Sequence, residues 1–141
     1  MKLGTKARSL SSLEKTADRW FSLYIRLRDA NEDGMAMCVT CGKTAHYKEM
    51  DCGHFITRNH KLTRFHERNC NVQCTYCNRY LHGEQYKHGK YIEQKYGKPI
   101  LEALEIMGKQ KYSRTRIDFE YLIEDYKAKA RVRAEELGIK I

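Results

Sequence analysis

Two C-x-x-C pairs, Cys38/Cys41 and Cys74/Cys77, are the residues of this chain whose type and spacing most clearly imply chemistry. Four thiolates complete the tetrahedral shell of a zinc ion and leave no coordination position open. A closed site of this kind is structural: it staples two distant pieces of chain and performs no reaction. Two pairs of unrelated buried thiols are the alternative, a weaker account of the paired spacing. The loop from Cys41 to Cys74 is longer than a compact zinc ribbon needs, so its contents matter. It carries Asp51, His54 and Asn69, and Asn78 and His82 follow its end. Carboxylate and amide oxygens suit a hard cation such as Mg²⁺ or Mn²⁺. A histidine that is neutral near pH 7 can take a proton from water.

These side chains need elements to aim them. Asp51 to Ile56 reads as a strand. Alternation puts His54 and Cys52 on one face and Asp51 and Gly53 on the other. Asp51 is the metal-ligand candidate; a strand-end aspartate making turn hydrogen bonds is the bland alternative. Cys74 to about Leu81 reads as the start of a helix. On a helix, Asn78 and His82 would share a face at i and i+4 and could grip one ion. Cys52 and Cys70 are spare and read as small buried residues. Residues 57–68 gather Arg58, Lys61, Arg64 and Arg68 with His60 and His66. That density suits phosphates, or an ordinary polar loop.

Around this stretch the pattern is helical. Residues 1–10 read as a flexible basic arm with Lys2, Lys6 and Arg8. Ser11 to Glu14 reads as a capping box opening an N-terminal helix over residues 11–30. Leu13, Ala17, Trp20, Phe21, Tyr24 and Leu27 share one face of it. Arg19, Arg26 and Arg28 could face DNA or solvent. Met35 to Val39 is a short strand into the first cysteine pair, and Thr44 to Glu49 is the tip of a hairpin. Glu84 to Tyr96 is helical and closed by Gly97. Pro99 sits in the first turn of a helix reaching Met107. Thr115 to Asp118 caps a last helix to about Leu137, with Ile117, Tyr121, Leu122, Tyr126 and Ala130 on one stripe. The expected fold is α+β in a single domain over residues 1–141: the arm, the N-terminal helix, a core at 35–84 and a helical extension at 85–141.

The totals agree with a small metal-stapled domain. Only 41% of 141 residues are hydrophobic, and mean hydropathy is −0.77, so the apolar core is modest and a staple is useful. The formal net charge of +9 favours a polyanionic partner. No run approaches the ~18 apolar residues of a membrane span. The polar, basic start has no secretory character, which points to a cytoplasmic protein with reduced, metal-bound thiols.

The ordered set Arg28-Asp29-Ala30, Cys38-Val39-Thr40-Cys41-Gly42, Asp51 to Ile56, Arg64-Phe65, Asn69, Gln73-Cys74, Cys77-Asn78 and Gly83 resembles the HNH, or ββα-metal, nucleases. The Cys77-Asn78 junction is similar to their endonuclease VII branch. The whole set most resembles the lambda NinG (Rap) recombination-protein family. The resemblance implies a ββα-metal core stapled by zinc on Cys38, Cys41, Cys74 and Cys77 and flanked by helices. It implies a divalent-metal-dependent endodeoxyribonuclease with His54 as general base. Asn69 would brace the loop, and Asn78, with Asp51 and His82, would hold the catalytic Mg²⁺ or Mn²⁺. The substrate would be branched recombination DNA such as a Holliday junction, in a phage or prophage setting, cut by a homodimer in the bacterial cytoplasm. One departure matters: many HNH enzymes place a metal ligand immediately before the base histidine, where this chain has Gly53. A zinc-stabilised DNA-binding module without catalysis, and an HNH endonuclease acting on ordinary duplex DNA, are the competing expectations.

Overall fold

The computed structural model of the chain describes residues 7–141. Helix α1 (Leu10–Arg28) opens on Ser9, whose hydroxyl accepts from the Ser12 amide at 3.1 Å. The capping box expected at Ser11 and Glu14 does not form. Ser11 lies inside the helix, and the Glu14 carboxylate instead accepts from Lys61 Nζ at 3.0 Å. Of the arm expected over residues 1–10, residues 1–6 lie outside the described ones. Arg8 is tied down, its guanidinium donating to the Ser12 carbonyl at 3.0 Å. Leu13, Ala17, Phe21, Ile25 and Leu27 form the buried stripe of α1, as a 3.6-residue repeat requires.

Strands β1 (Met35–Met37) and β2 (Thr44–His46) form an antiparallel hairpin whose loop holds Cys38 and Cys41. Gly42, at φ +82°, closes that loop by donating its amide to the Cys38 carbonyl at 2.9 Å, a conformation that favours glycine. A single 3₁₀ turn leads into β3 (Met50–His54), which pairs antiparallel with β4 (Cys70–Cys74). The register sets Met50 opposite Cys74 and His54 opposite Cys70. Strand β4 has no counterpart in the sequence reading. Its residues alternate, Cys70, Val72 and Cys74 with Asn71 and Gln73, but all five are buried, so the alternation runs over only five residues and marks no solvent face. The helix expected from Cys74 is instead a single π-type turn, Tyr76–Tyr80. It ends before His82, which has a left-handed backbone at φ +53°. The shared helical face proposed for Asn78 and His82 therefore does not exist.

Helices α2 (Gln85–Tyr96), α3 (Lys98–Gly108) and α4 (Arg116–Leu137) follow. Thr115 and Asp118 cap α4 reciprocally, as expected. Helix α4 lies along α1: Phe21 and Tyr126 meet edge-to-face at 4.8 Å. Arg133 donates to the Leu27 and Arg28 carbonyls, both at 3.2 Å, and so covers the open carbonyl end of α1. The buried residues of α4 are Phe119, Tyr126, Ala130 and Ala134. Ile117 and Tyr121, expected on this stripe, are 76% and 70% exposed. Apolar residues lie on several sides of α4, and contact with Phe21 and Leu27 selects among them. The architecture is α+β: helices packed on two small antiparallel sheets. Among the described residues, no helix is long and apolar enough to cross a membrane.

Candidate functional site

The β1–β2 loop, the end of β4 and the π-type turn that carries Cys77 bring the four cysteines together. The sulfurs of Cys38, Cys41, Cys74 and Cys77 all lie within 4.8 Å of one another, with Cys41 and Cys74 at 3.7 Å. A zinc ion with ~2.3 Å bonds to sulfur would set tetrahedral edges of about 3.8 Å, so the cluster fits zinc. Burial pushes the Cys38 thiol up, but hydrogen bonds from the Thr40 hydroxyl and nearby backbone amides outweigh it and hold it at about 6. Burial pushes Cys77 up to about 12. One thiolate is thus ready at neutral pH, and Cys77 gives up its proton only against a cation.

Beside this cluster, a cavity of ≈ 740 Å³ follows the open edge of β3. With only β4 as a partner, β3 leaves one edge unpaired, and residues from both of its faces reach the cavity. Asp18, Phe21, Ser22 and Arg26 of α1 form one wall; Asn78, Arg79, His82 and Gly83 form the other. Lys48 and Arg58 add positive charge.

His54 stands at the end of β3, with Nε2 at 2.9 Å from the Arg64 carbonyl. A carbonyl oxygen can only accept, so Nε2 carries the hydrogen and Nδ1 keeps its lone pair. Burial pushes the His54 pKa down to about 4, although the Arg64 bond pulls the other way. The ring is neutral at pH 7. Asn69 is fully buried. Its Oδ1 accepts from the Ile56 amide at 2.8 Å, and its Nδ2 donates to the Ile56 and Thr63 carbonyls at 3.0 and 3.1 Å. These bonds close the loop whose Arg64 carbonyl orients His54.

Asp51, across the strand, accepts from Asn78 Nδ2 at 3.0 Å. Arg79 donates to both of its oxygens, at 2.9 and 3.0 Å. The amide oxygen of Asn78 and the remaining lone pairs of Asp51 offer hard oxygen donors at the cavity wall, the kind of atom that Mg²⁺ or Mn²⁺ takes. His82 lines the same cavity, brought there by its left-handed turn.

Several basic residues that the sequence leaves open between phosphate contact and a solvated surface are held internally. Arg64 pairs with Asp18, Nε to Oδ1 at 2.9 Å, and Lys61 pairs with Glu14. Arg28 donates to the Glu67 and Cys70 carbonyls at 2.8 and 3.0 Å and fastens β4. Lys48 and Arg58 line the cavity, as do Arg26, which donates to the Tyr47 carbonyl at 3.0 Å, and Arg79, which pairs with Asp51. Arg79, with its side chain 66% exposed, was signalled only by following Asn78. Arg64 acts through its backbone carbonyl, which no side-chain pattern reveals.

Gly53 has a packing reason to lack a side chain. A Cβ there would overlap the amide of Gln73. That amide donates to the Gly83 carbonyl at 2.8 Å and to Thr40 Oγ1 at 3.1 Å, tying the zinc loop to the cavity wall. Gly53→Ala is expected to destabilise the fold by about 1–3 kcal/mol through overpacking, measured by chemical denaturation; an unchanged midpoint would show that Gln73 moves freely.

His88, fully buried on α2, accepts from Asn71 Nδ2 at 3.0 Å. Its Nδ1 has no hydrogen-bond partner. Burial, then the neighbouring His54, lowers its pKa to about 4. A depressed folded pKa gives stability that is complete above the unfolded value near 6.5 and is lost as pH falls through the folded one. At ~1.36 kcal/mol per pH unit, roughly 2 kcal/mol is lost by pH 5. Urea midpoints at pH 7 and pH 5 should separate by less in His88→Gln than in the wild type.

The class defined by this fold is a small α+β protein in which a four-cysteine, zinc-type cluster stands beside a basic cleft. The chain belongs to the NinG family: the family described as Bacteriophage Lambda NinG protein matches residues 2–136. No curated protein and no solved structure matches it.

Proposed function

We propose that this protein is a divalent-metal-dependent endodeoxyribonuclease of the HNH, or ββα-metal, type that acts on branched recombination DNA in a phage setting. The observation that carries this reading is His54. Its tautomer is fixed by the Arg64 carbonyl, and its ring is neutral in the cavity that also holds the Asp51–Asn78 pair. The succession of β3, β4 and a helical turn bearing Asn78 supports the ββα-metal assignment.

In this mechanism Nδ1 of His54 takes a proton from the attacking water, while Nε2–H stays on the Arg64 carbonyl and keeps the ring from turning. Asn69 holds the loop that supplies that carbonyl. Asp51 and Asn78, with His82 at the cavity wall, would hold the Mg²⁺ or Mn²⁺. That ion supplies electrostatic stabilisation of the phosphate and of the leaving oxygen. Arg26, Lys48, Arg58 and Arg79 offer positive charge to the DNA backbone. Tyr76 and Tyr80 stack on each other at 6.0 Å and are exposed, as is Tyr86. Exposed rings beside a basic cleft suit unstacked bases. Paired cuts across a junction need two active sites, so the active form in this reading is a homodimer.

A labelled four-way junction and a linear duplex of the same sequence, each incubated with Mg²⁺ or Mn²⁺, test the reading. Preferential cutting of the junction is expected. Equal cutting of both substrates keeps the chemistry and removes the branch specificity. Tight binding with no cutting under either metal makes the protein a zinc-stabilised DNA-binding module.

A further inference from the structure

Cys52, His54 and Cys70 form a second cluster: one ligand atom from each lies within 4.8 Å of the other two. The β3–β4 register creates it. Cys70 is directly opposite His54, and Cys52 lies two residues back from His54 on the same face of β3. Neither thiol belongs to the four-cysteine cluster, and neither has a part in the proposed cleavage reaction. Cys52 and His54 line the cavity, while Cys70 is fully buried behind them. The Cys70 sulfur has only long contacts: its thiol donates to the Arg64 carbonyl at 3.8 Å, the same oxygen that holds His54 Nε2, and it accepts from Asn69 Nδ2 at 3.9 Å.

We infer that Cys52, Cys70 and His54 form a second zinc site, with a fourth coordination position open to the cavity, and that zinc bound there inhibits the protein by occupying the lone pair of His54. The inhibitory effect rests on the base role proposed above; the binding does not. Two thiolates and an imidazole select a soft or borderline cation such as Zn²⁺ and are poor ligands for Mg²⁺. Bonds of ~2.3 Å to sulfur and ~2.0 Å to nitrogen set ligand separations of about 3.5–3.8 Å. The three ligand atoms, all within 4.8 Å of one another, therefore need to close by about 1.3 Å at most. A zinc-bound histidine commonly donates its other ring N–H to a backbone carbonyl; with zinc on Nδ1, the Arg64 carbonyl already accepts that bond from Nε2. Zinc then has opposite effects at two sites of one chain. At the four cysteines it builds the structure, and in excess at Cys52, His54 and Cys70 it removes the base.

The test uses the full chain loaded with one zinc and titrated with Co²⁺, which binds such ligands more weakly than zinc and so leaves the four-cysteine site filled. A visible band of tetrahedral Co²⁺ saturating at one further equivalent is expected in the wild type. Both Cys52→Ser and His54→Ala should weaken that equivalent at least tenfold while keeping the first zinc. In a second arm, the ratio of Mg²⁺-dependent cleavage rates with and without excess zinc should be low in the wild type and near one in Cys52→Ser. No further equivalent of Co²⁺ in the wild type overturns the site, as does an equivalent that both variants retain. A protein that takes the second metal but cleaves no DNA keeps the site and overturns the inhibition together with the nuclease reading. Zinc inhibition undiminished in Cys52→Ser overturns the inhibition alone.

Discussion

His54→Ala is expected to lower Mg²⁺-dependent cleavage of DNA at least a hundredfold while leaving DNA binding close to that of the wild type. A positioned general base contributes about 10²–10⁴-fold to rate, and in the cavity only His54 combines a neutral imidazole with a tautomer fixed by a backbone carbonyl. Binding should survive because the ring is uncharged at neutral pH and adds little to phosphate attraction, which falls to Arg26, Lys48, Arg58 and Arg79. The fold should survive as well, since Asn69 closes the loop without help from the histidine. The pH profile supplies an independent readout. A base works when deprotonated, so the rate falls as pH drops through its pKa. With burial holding that pKa near 4, the acid limb of kcat/KM should lie below the 6.5 of an ordinary histidine. In the kcat profile, which reports the substrate complex, the anionic phosphate moves the limb upward from that position. Cleavage by His54→Ala at the wild-type rate would remove the base assignment, and an acid limb at or above 6.5 would mean that another group is titrating.

What could be read from sequence follows the kind of signal each residue carries. The C-x-x-C pairs were legible because metal ligation fixes both residue type and spacing. The facing of Cys52 and His54 away from Asp51 was legible because alternation along a strand needs no tertiary information. The reciprocal cap at Thr115 and Asp118 was legible for the same local reason. Strand β4 alternates apolar and polar residues over only five positions, too short a run to stand out between Asn69 and the second cysteine pair; what burial conceals is that Asn71 and Gln73 point inward to His88, Thr40 and Gly83, polar residues at positions that alternation assigns to solvent. His82 was placed on a helix that ends two residues earlier, because the π-type turn, Tyr76–Tyr80, has no periodic signature over so few residues. The roles of Arg28 and Arg64 were not legible because a guanidinium bound to backbone carbonyls or to Asp18 looks, in one dimension, like one facing phosphate or solvent. Cys52 and Cys70 looked spare because their proximity exists only once β3 and β4 are paired.

Removal of zinc from the four-cysteine cluster, by a strong chelator or by Cys74→Ser, is expected to melt the β1–β2 hairpin and the Asn78 turn and to abolish cleavage. It should leave much of the far-ultraviolet helical signal in place. Structural zinc contributes an apparent ~10–16 kcal/mol in small domains, comparable with or larger than the ~5–15 kcal/mol total stability of a folded protein. The dependent parts are local. Strands β1 and β2 are three residues each, too short to persist as an isolated two-stranded ribbon. The turn carrying Asn78 is held at its start by the Cys77 amide donating to Cys74 Sγ at 3.4 Å. Helices α1 and α4 hold each other independently of the metal, through the Phe21–Tyr126 contact and the Arg133 bonds to the end of α1. Binding must also expel the proton that burial keeps on Cys77 near pKa 12. Zinc affinity should therefore fall about tenfold per pH unit for that proton alone as the solution is acidified. Metal content, circular dichroism and thermal unfolding of the chelated protein check this together. A zinc-free chain that unfolds at the wild-type midpoint with full cleavage activity would mean that the cysteines pack as ordinary thiols and that the position of Asn78 is set without metal.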